Sequence, residues 1–545
     1  MKIRYWILLG IILVALIATG LLIWDIMAPV QCEDEAASFD TDAPILAHGW
    51  GVDLSNTRLQ TAAHAGLTPQ DIPRLKLKWA FRFPRFTNKV RSQPAVTADT
   101  VYLGSQWGQV YALNKNTGCV RWRYNAIGEV RTALTLGEIR RGLGRWLFFG
   151  DFFGYVHAVD AAHGTRIWKT RMDSHLATTI TGSPVLHGTR LYVPVSSYDV
   201  ALPALPFYGC CSFRGSVVAL DALTGRKLWQ TYVADPPQPQ GRNAWFVRNW
   251  GPSGAPIWNA PTLDVKRGLL YVGTGENYSQ PANHLSDAII AMDLQTGQIR
   301  WSRQTTPNDA WNFGCALPGK VNCPANPGKD LDFGASPVLV TTQDGRDVLL
   351  AGQKSGVIYA LDPDRQGAVI WQRRLGRGGA LGGIHWGMTT DGRRVYVPVS
   401  DYLHELPGLD APKPENPALP KMPGLYALDI KTGALIWRAP AQAPCSNAEA
   451  CYPGLSAAIS SIPGVIFAGR LDGRLLAYRA EDGQILWQTD TTRPIQAING
   501  GTAQGGSIDD AGPVIAEGQV FMGSGYAIFS EQGGNAFLAY SVDGK

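Results

Sequence analysis

A five-residue motif, Gly followed by three residues and Trp, recurs seven times and restricts this chain to a repeat architecture. The copies begin roughly 45–70 residues apart and have strand–turn–strand content, which is typical of a propeller. In each copy the Gly supplies a turn with positive φ, and the Trp buries a large ring between neighbouring sheets. The copies span residues 118–122, 164–168, 225–229, 297–301, 367–371, 433–437 and 483–487.

The two ends of the chain each carry half of an eighth copy. Residues 537–545 hold the strand and the Gly turn without the Trp strand, whereas residues 75–79 hold a Trp strand without a preceding Gly turn. Joining these halves completes a last blade and leaves no open sheet edge, as a closed propeller requires. We therefore predict an all-β, eight-bladed β-propeller. Seven blades with an unrelated N-terminal strand is the alternative.

The composition agrees with one large propeller rather than several domains. The 545 residues include 61 Gly and 18 Trp, and only 17% are charged, which suits a turn-rich all-β chain with many buried rings. The net charge of +5 comes without a basic run, so no nucleic-acid partner is expected. We predict that the propeller occupies residues 37–545.

Residues 1–36 form a separate N-terminal segment. Basic residues precede an almost wholly apolar stretch at residues 6–27, and acidic residues follow it. This charge pattern directs the N-terminus to the cytoplasm, and the stretch is long enough to cross a bilayer and longer than a signal-peptide core. We predict a periplasmic body tethered to the inner membrane by this uncleaved helix. A cleaved signal peptide is the alternative, and either one exports the body.

Eight cysteines fit an oxidising compartment. Cys315 and Cys323 flank a short Pro/Gly loop, and Cys445 and Cys451 flank a short loop of their own, so each pair is predicted to form a local disulfide. Cys119 lies in a repeat strand and is interpreted as a buried thiol. The chain has no Cys-x-x-Cys-His motif and therefore carries no haem c.

Several loop segments outside the repeat carry residues suited to chemistry. They are residues 50–58, 74–79, 210–217, 275–281, 311–315, 330–337, 353–359 and 505–513. In content and order these segments resemble the pyrroloquinoline-quinone (PQQ)-dependent alcohol dehydrogenases, most closely the polyvinyl-alcohol dehydrogenase branch. The resemblance extends over nearly the whole exported body. Since loops rather than repeats carry function on a propeller, it bears directly on activity.

The resemblance implies a periplasmic quinoprotein that oxidises a small or polymeric alcohol. In this family PQQ lies across the central channel, with Ca²⁺ or a lanthanide at one edge as a Lewis acid. A carboxylate takes the proton of the alcohol, and hydride passes to the quinone. Because the chain has no haem motif, its electrons are expected to go to a separate cytochrome c or to membrane quinone.

Five residues match the cofactor contacts of the family. Lys354, in Gln-Lys-Ser-Gly after an apolar strand, matches the lysine at the quinone oxygens. Trp258 matches the aromatic floor below the quinone ring. Arg131 matches the arginine near the quinone, and Thr179 and Thr181 match a hydroxyl lining. The alternatives to a cofactor-binding role are a surface lysine at a strand end, a Trp that only packs in the core, and strand threonines without a function.

The segment around Cys210 and Cys211 departs from the family pattern. The pair resembles a vicinal disulfide held against the quinone face, with two buried thiols as the alternative. Relatives place a metal-binding glutamate here that this chain lacks, and Asp199 is the candidate replacement. The family's asparagine ligand falls where strict alignment gives Glu276, with Asn277 adjacent. Oxygen ligands of either kind suit calcium or a lanthanide.

The catalytic carboxylate has two candidate positions, because the family's Trp-Asp-Tyr-Asp is interrupted here. Aligned from its Trp, the base falls on an asparagine and is lost, which leaves Asp309 as the fallback. Aligned from the following strand, Asp330 keeps the family spacing of seven residues to a proline, and residues 313–329 become an insertion clamped by a disulfide. We predict that Asp330 is the general base and that Asp332 is its partner or an extra metal ligand. An Asp-x-Asp that merely caps a turn is the alternative.

Two other functions stay open on the sequence alone. The same repeat occurs in a non-catalytic scaffold for envelope assembly, in which none of these residues would be constrained. A decayed enzyme that binds quinone without turnover is the other reading, because the metal-binding glutamate is altered.

Overall fold

The structure is a computed structural model that describes residues 40–402, 413–442, 452–529 and 531–545, together with 19–20 and 32. These residues form eight antiparallel sheets of four or five strands, which are the blades of a propeller. The predicted eight-bladed all-β fold is confirmed. Within most blades the strand order follows the chain, so that short turns join neighbouring strands.

We number the blades from the N-terminal side of the ring. Blade 1 consists of Ile45–Ala47, Ala95–Thr97, Thr100–Gly104, Gln109–Asn114 and Val120–Asn125, and blade 2 of Thr135–Gly137, Trp146–Gly150, Tyr155–Asp160 and Arg166–Arg171. Blade 3 consists of Thr178–Thr179, Val185–His187, Arg190–Ser197, Ser216–Asp221 and Lys227–Tyr232, and blade 4 of Thr262–Asp264, Leu269–Gly273, Ala288–Asp293 and Ile299–Gln304. Blade 5 consists of Val338–Thr341, Asp347–Gly352, Val357–Asp362 and Ala368–Arg374, and blade 6 of Thr389–Thr390, Arg394–Val399, Gly424–Asp429 and Leu435–Pro440. Blade 7 consists of Ser460–Ile462, Val465–Gly469, Arg474–Arg479 and Ile485–Asp490, and blade 8 of Val514–Ala516, Gln519–Ser524, Ala536–Val542 and Leu75–Arg82.

Short elements decorate the loops between the blades. In the part of the chain that the structure describes, three two-stranded ribbons pair Gln238–Arg242 with Arg248–Gly251, Ser253–Gly254 with Asn277–Ser279, and Ile495–Gln496 with Thr502–Ala503. The helical turns are the α-helix Ala62–Ala65 and the 3₁₀ turns Ile72–Arg74, Leu202–Ala204, Phe313–Ala316 and Pro363–Arg365.

Blade 8 closes the ring with strands from both ends of the chain. Leu75–Arg82 pairs antiparallel with Ala536–Val542, and Trp79 lies opposite Ala539. The Trp79 ring packs 6.0 Å from the ring of Phe537, inside a buried aromatic cluster. The predicted pairing of the two incomplete motifs is therefore confirmed, and the sheet edge that each end would expose is covered.

The repeated Gly and Trp act between blades rather than within one. A methyl group added at the Gly of each motif would lie within 3 Å of the Trp indole of the preceding blade. The Gly turn therefore packs directly against that ring. The Gly–Trp pairs are Gly118–Trp79, Gly164–Trp122, Gly225–Trp168, Gly297–Trp229, Gly367–Trp301, Gly433–Trp371 and Gly483–Trp437. The last indole, Trp487, donates its Nε1–H to the Leu75 carbonyl at 2.9 Å and so joins blade 7 to blade 8.

We expect Gly433→Ala to destabilise the propeller more than Gly268→Ala does. The two glycines have φ of 67° and 66°, but an added methyl would lie 2.6 Å from the Trp371 ring at Gly433 and would meet nothing within 4 Å at Gly268. Both variants carry the cost of a side chain at positive φ, whereas overpacking adds about 1–3 kcal/mol at Gly433 alone. Thermal unfolding of the two variants measures the difference. Equal losses of stability in the two variants would mean that the contact between the Gly turn and the Trp ring contributes no stability.

The disulfides of the described residues are Cys32–Cys119, Cys210–Cys211 and Cys315–Cys323. The predicted clamp on the insertion is confirmed by the last of these. The interpretation of Cys119 as a buried thiol is wrong, because this residue is only half-buried and is bonded to Cys32. Cys445 and Cys451 lie outside the described residues, so their predicted bond stays a prediction.

The predicted membrane segment also falls outside what can be described. Of residues 6–27, only Thr19 and Gly20 belong to the described residues. Among the described residues, the structure contains no helix with the length and apolar character needed to span a bilayer. The N-terminal anchor therefore stays a prediction.

Candidate active site

A cavity of about 660 Å³ lies in the channel and is lined by loop segments spread along the chain from Lys89 to Phe529. This volume falls within the range of small-molecule and cofactor sites. The sequence-predicted residues on its wall are Arg131, Thr179, Thr181, Trp258, Glu276, Asp330, Asp332 and Lys354. They meet there because they lie in or beside the inner strands of four successive blades, blades 2 to 5.

A buried cluster of three carboxyl groups and one ammonium forms the acidic part of the wall. Lys354 Nζ donates to Asp330 Oδ1 at 2.7 Å and to Asp332 Oδ2 at 2.9 Å. The Glu276 backbone N–H donates to Asp332 Oδ1 at 2.9 Å. Carboxylate oxygens of Glu276, Asp330 and Asp332 lie within 4.8 Å of one another, and all three residues are buried. Fully ionised, the cluster carries two negative charges in excess of its one ammonium.

Burial and mutual repulsion set the charge states of this cluster. Burial raises the pKa of Asp330 well above its ordinary value, although the Lys354 ammonium opposes the shift. Burial and the charges of Asp332 and Asp330 raise the pKa of Glu276. Burial works in the same direction on Asp332, but Lys354 and the hydrogen bond from Glu276 outweigh it and lower the pKa of Asp332 to about 2. Asp332, with the lowered pKa, is thus the carboxyl group that stays ionised. Asp330, with the raised pKa, is the more basic of the two, as proton abstraction needs.

Trp258 is tied to the carboxyl cluster. Its indole Nε1–H donates to Asp332 Oδ2 at 3.1 Å, and Lys354 Nζ lies 5.3 Å from its ring centroid. Trp386 meets the same ring edge-on at 4.9 Å. A methyl group at Gly334 would lie 2.0 Å from the indole, so only glycine leaves room for it. The ring therefore has one fixed orientation on the cavity wall.

A second group of charged side chains lines the cavity, formed by Arg91, Glu129 and Arg131. Arg131 Nη2 donates to Asp510 Oδ2 at 2.9 Å, and its guanidinium lies 5.2 Å from the Trp386 ring centroid. Arg91 forms a bidentate ion pair with Glu129, in which Nε donates to Oε1 at 2.7 Å and Nη2 donates to Oε2 at 2.9 Å. Burial acts to raise the pKa of Glu129, but Arg91 outweighs it and lowers that pKa. Arg131 is among the site residues predicted from the sequence, whereas Arg91, Glu129 and Asp510 are not.

Two predicted metal ligands point away from the carboxyl cluster. Asn277 Nδ2 donates to the Ser253 carbonyl at 2.9 Å, and its Oδ1 accepts from the Asn283 N–H at 2.8 Å. Asp199 accepts from a tyrosine hydroxyl and from the backbone N–H groups of residues 212–213. Both side chains are occupied by structural hydrogen bonds, and their role as metal ligands stays a prediction.

The bonded pair Cys210–Cys211 lies behind the cavity wall. Both residues are buried, and neither lines the cavity. Asn312 Nδ2 lies 3.4 Å from Cys210 Sγ and donates to the carbonyl of Tyr278, whose side chain does line the cavity. The disulfide is therefore next to a wall residue, and its contact with a quinone stays a prediction.

Asp309, the fallback base, folds the turn that carries Asp330. Its Oδ1 accepts from the N–H groups of Lys329 at 2.9 Å and Asp330 at 3.3 Å, and its Oδ2 accepts from Leu331 at 3.0 Å. Asp330 itself adopts φ of 58°. Successive N–H groups in such a turn form an anion-binding concavity, and here its anion is Asp309. Asp309 is absent from the cavity wall, whereas Asp330 lies on it.

The residues present fit both a quinone cofactor and a cation. Thr179 Oγ1, Thr181 Oγ1 and Arg131 Nε are buried on the cavity wall and have no hydrogen-bond partner among the described residues. A quinone that carries several carboxylates would satisfy these groups, since buried polar atoms require partners. The excess negative charge and the oxygen donors of the carboxyl cluster suit Ca²⁺ or a lanthanide.

Comparison with known proteins shows which proteins this chain resembles. A family model described as outer membrane protein assembly factor BamB matches residues 47–313, 354–503 and 420–542. Polyvinylalcohol dehydrogenase of Pseudomonas sp is 41% identical over 529 residues, which cover 94% of this chain and 80% of the relative. The Sphingopyxis sp. (strain 113P3) polyvinylalcohol dehydrogenase is 42% identical over 533 residues, or 94% of this chain and 79% of the relative. The crystal structure of the Comamonas testosteroni quinohemoprotein alcohol dehydrogenase superposes with a TM-score of 0.67 at 20% identity, over 92% of this chain and 81% of that chain, and therefore shares the fold.

The propeller fold, together with the two relatives above 40% identity, places this chain in the class of quinoprotein alcohol dehydrogenases. Within that class, the identity above 40% over nearly the whole chain shows that the protein belongs to the polyvinylalcohol dehydrogenase family. The predicted family and the predicted enzyme class, a PQQ-dependent alcohol dehydrogenase, are confirmed. The alternative of an assembly scaffold is not favoured.

Proposed function

We propose that this protein is a periplasmic dehydrogenase that oxidises a secondary or polymeric alcohol and passes the electrons to a separate cytochrome c or to membrane quinone. The observation that carries the proposal is the Lys354–Asp330–Asp332 contact beside Glu276, in a cavity that Trp258 lines. The names of the relatives support the substrate class, since polyvinyl alcohol is a polymer of secondary alcohol units.

The reaction requires a base that faces the bound alcohol. Asp330 takes the hydroxyl proton of the alcohol, and the carbon that carries the hydroxyl becomes a carbonyl carbon. Lys354 holds Asp330 and Asp332 in place, and its charge keeps a buried carboxylate available as a base. When bound, the quinone with its cation supplies the electrophilic carbonyl that accepts the hydride.

The cofactor and the cation would be held by different residues of the wall. Trp258 offers a flat apolar surface, and Arg131, Thr179 and Thr181 offer unpartnered donors for carboxylates. Glu276, Asp330 and Asp332 offer the oxygen ligands for Ca²⁺ or a lanthanide.

The periplasmic location rests on two features of the chain. The three disulfides of the described residues suit an oxidising compartment. The apolar stretch at residues 6–27 provides the export signal, and as an uncleaved helix it would tether the propeller to the inner membrane.

Reconstitution of the purified protein tests the proposed function. We expect dye reduction with polyvinyl alcohol and with short secondary alcohols after addition of PQQ together with Ca²⁺ or a lanthanide, and none without PQQ. Stoichiometric binding of PQQ without turnover of any alcohol would support the decayed enzyme. Absence of PQQ binding would support the scaffold.

We expect Lys354→Ala to weaken PQQ binding by about 10- to 150-fold, which corresponds to about 1.5–3 kcal/mol for charge-assisted contacts. Titration of the apoprotein with PQQ measures the change. Lys354→Arg should retain more affinity because it keeps the charge. Lys329→Ala is the matched control, because Lys329 also pairs with a carboxylate, Glu415, but lies half-exposed at the surface. Unchanged affinity in Lys354→Ala would remove Lys354 from the cofactor site.

A further inference from the structure

Three loop segments interlock at the side of the cavity and form what we call the cap: residues 198–209, 238–251 and 313–323. Two buried asparagines hold the segments together. Asn322 Nδ2 donates to the carbonyls of Pro203 at 3.2 Å and Leu205 at 2.9 Å. Asn243 Nδ2 donates to the Pro206 carbonyl at 2.9 Å and to Asn322 Oδ1 at 2.8 Å. Every segment of the cap is therefore bonded to another.

The cap is continuous with the cavity wall. Val200 and Ala201 of its first segment and Phe313 and Ala316 of its third segment line the cavity. The Phe313 N–H donates to the Val200 carbonyl at 3.0 Å, which joins the two segments at the wall. The Phe313 ring also stacks on that of Phe529, which lies on the wall in the loop between two strands of blade 8. One rigid set of loops thus runs from the cavity to the outer surface.

The outer surface of the cap exposes four large apolar side chains. Their exposed fractions are 42% for Leu205, 65% for Phe207, 61% for Trp245 and 80% for Phe246. The turn that carries Trp245 and Phe246 is fixed, because Asn243 Oδ1 accepts from the N–H groups of residues 245 and 247 at 2.9 and 3.0 Å. Aromatic rings that a rigid turn holds in water mark a binding surface rather than a folding requirement.

We propose that the cap binds the remote part of a polymeric alcohol while one hydroxyl of the polymer reaches Asp330. This inference rests on the proposed function and adds a second binding surface to it. A chain of alternating methylene and hydroxyl-bearing carbons is neutral and amphipathic, so its methylene groups pack on the rings while its hydroxyls stay in water.

The distance along the cap explains why only a long substrate would use it. Six residues lead from Ala201 on the wall to Phe207 on the surface, and because three of them form the 3₁₀ turn Leu202–Ala204 they span up to about 16 Å. A short alcohol inside the cavity does not extend over such a distance, whereas a polymer does. The continuity of the cap with the wall favours the substrate over a protein partner, because the polymer must pass the same wall to react.

A double variant, Trp245→Ala/Phe246→Ala, tests the proposal in the holoenzyme. The turn is built from backbone groups and Asn243, so its fold does not depend on the two rings. With a dye as acceptor, the ratio of kcat/KM for polyvinyl alcohol to kcat/KM for a short secondary alcohol should fall about tenfold, through KM for the polymer. Ile370→Ala/Ile436→Ala is the matched control, because these side chains are 47% and 45% exposed on the outer strands of blades 5 and 6. The control should keep the wild-type ratio.

Electrophoresis in native gels that contain polyvinyl alcohol gives a readout independent of turnover. The wild-type protein and the control should be retarded by the polymer, and the double variant should migrate freely. An unchanged ratio together with unchanged retardation would overturn the proposal. So would a defect that occurs only with cytochrome c as acceptor, because the surface would then bind a protein partner. If the wild-type protein oxidises no alcohol, the proposed function fails, while the gel still decides whether the cap binds the polymer.

Discussion

Asp330→Asn is expected to lower kcat by about two to four orders of magnitude, the usual contribution of a positioned base. Asp330 lies on the cavity wall, its Oδ1 is 2.7 Å from Lys354 Nζ, and burial raises its pKa above the ordinary range. An amide of the same size keeps the shape of the site but cannot accept the proton of the alcohol. Binding of PQQ should persist, because the proposed cofactor contacts lie on other residues.

Steady-state turnover with a dye acceptor, combined with PQQ titration, checks this expectation. Asp344→Asn is a suitable control, since Asp344 is a partly exposed surface carboxylate of blade 5 that pairs with Lys431. If Asp330→Asn keeps full activity and still binds PQQ, the base is elsewhere and the alignment from the strand side is wrong. If the variant loses PQQ as well, Asp330 contributes to cofactor or cation binding rather than to proton transfer alone.

The fold could be predicted from the sequence because its signals are local and repeated. Each Gly–Trp motif specifies a turn and a Trp ring that packs against the next blade, and the two incomplete copies specify how the propeller closes. The wall residues Lys354, Trp258 and Asp330 were found because short segments with a recognisable family pattern carry them. Because these segments flank the inner strands of neighbouring blades, the propeller fold brings them together at one channel.

The remaining parts of the site depend on contacts that leave no local pattern. Arg131 and Asp510 form an ion pair across 379 positions of sequence, and Cys32 bonds to Cys119 across 87. Alignment also gives a position but not a side-chain direction. Asn277 begins the strand Asn277–Ser279, where successive side chains point to opposite faces, so Asn277 cannot face the cavity where Tyr278 does.

Asp309→Ala is expected to lower kcat about 100-fold, although Asp309 does not line the cavity. Its carboxylate gathers the N–H groups of residues 329–331 and holds Asp330 in a backbone conformation with φ of 58°. Without that anion the turn relaxes and the base moves, and a displacement of about 1 Å can cost 10²-fold in rate. Asp309 is therefore a positioning residue.

The double variant Asp309→Ala/Asp330→Asn separates positioning from an independent role in the reaction. If Asp309 acts only through Asp330, the double variant should be no slower than Asp330→Asn alone, because the two changes remove the same contribution. Asp391→Ala is the matched control: this half-buried carboxylate also accepts from backbone N–H groups, those of Arg393 and Arg394, at a turn of blade 6 whose residues do not line the cavity. It should lose stability, measured by thermal unfolding, with little change in kcat. Additive losses in the double variant would contradict the positioning role and would return Asp309 to the list of candidate bases.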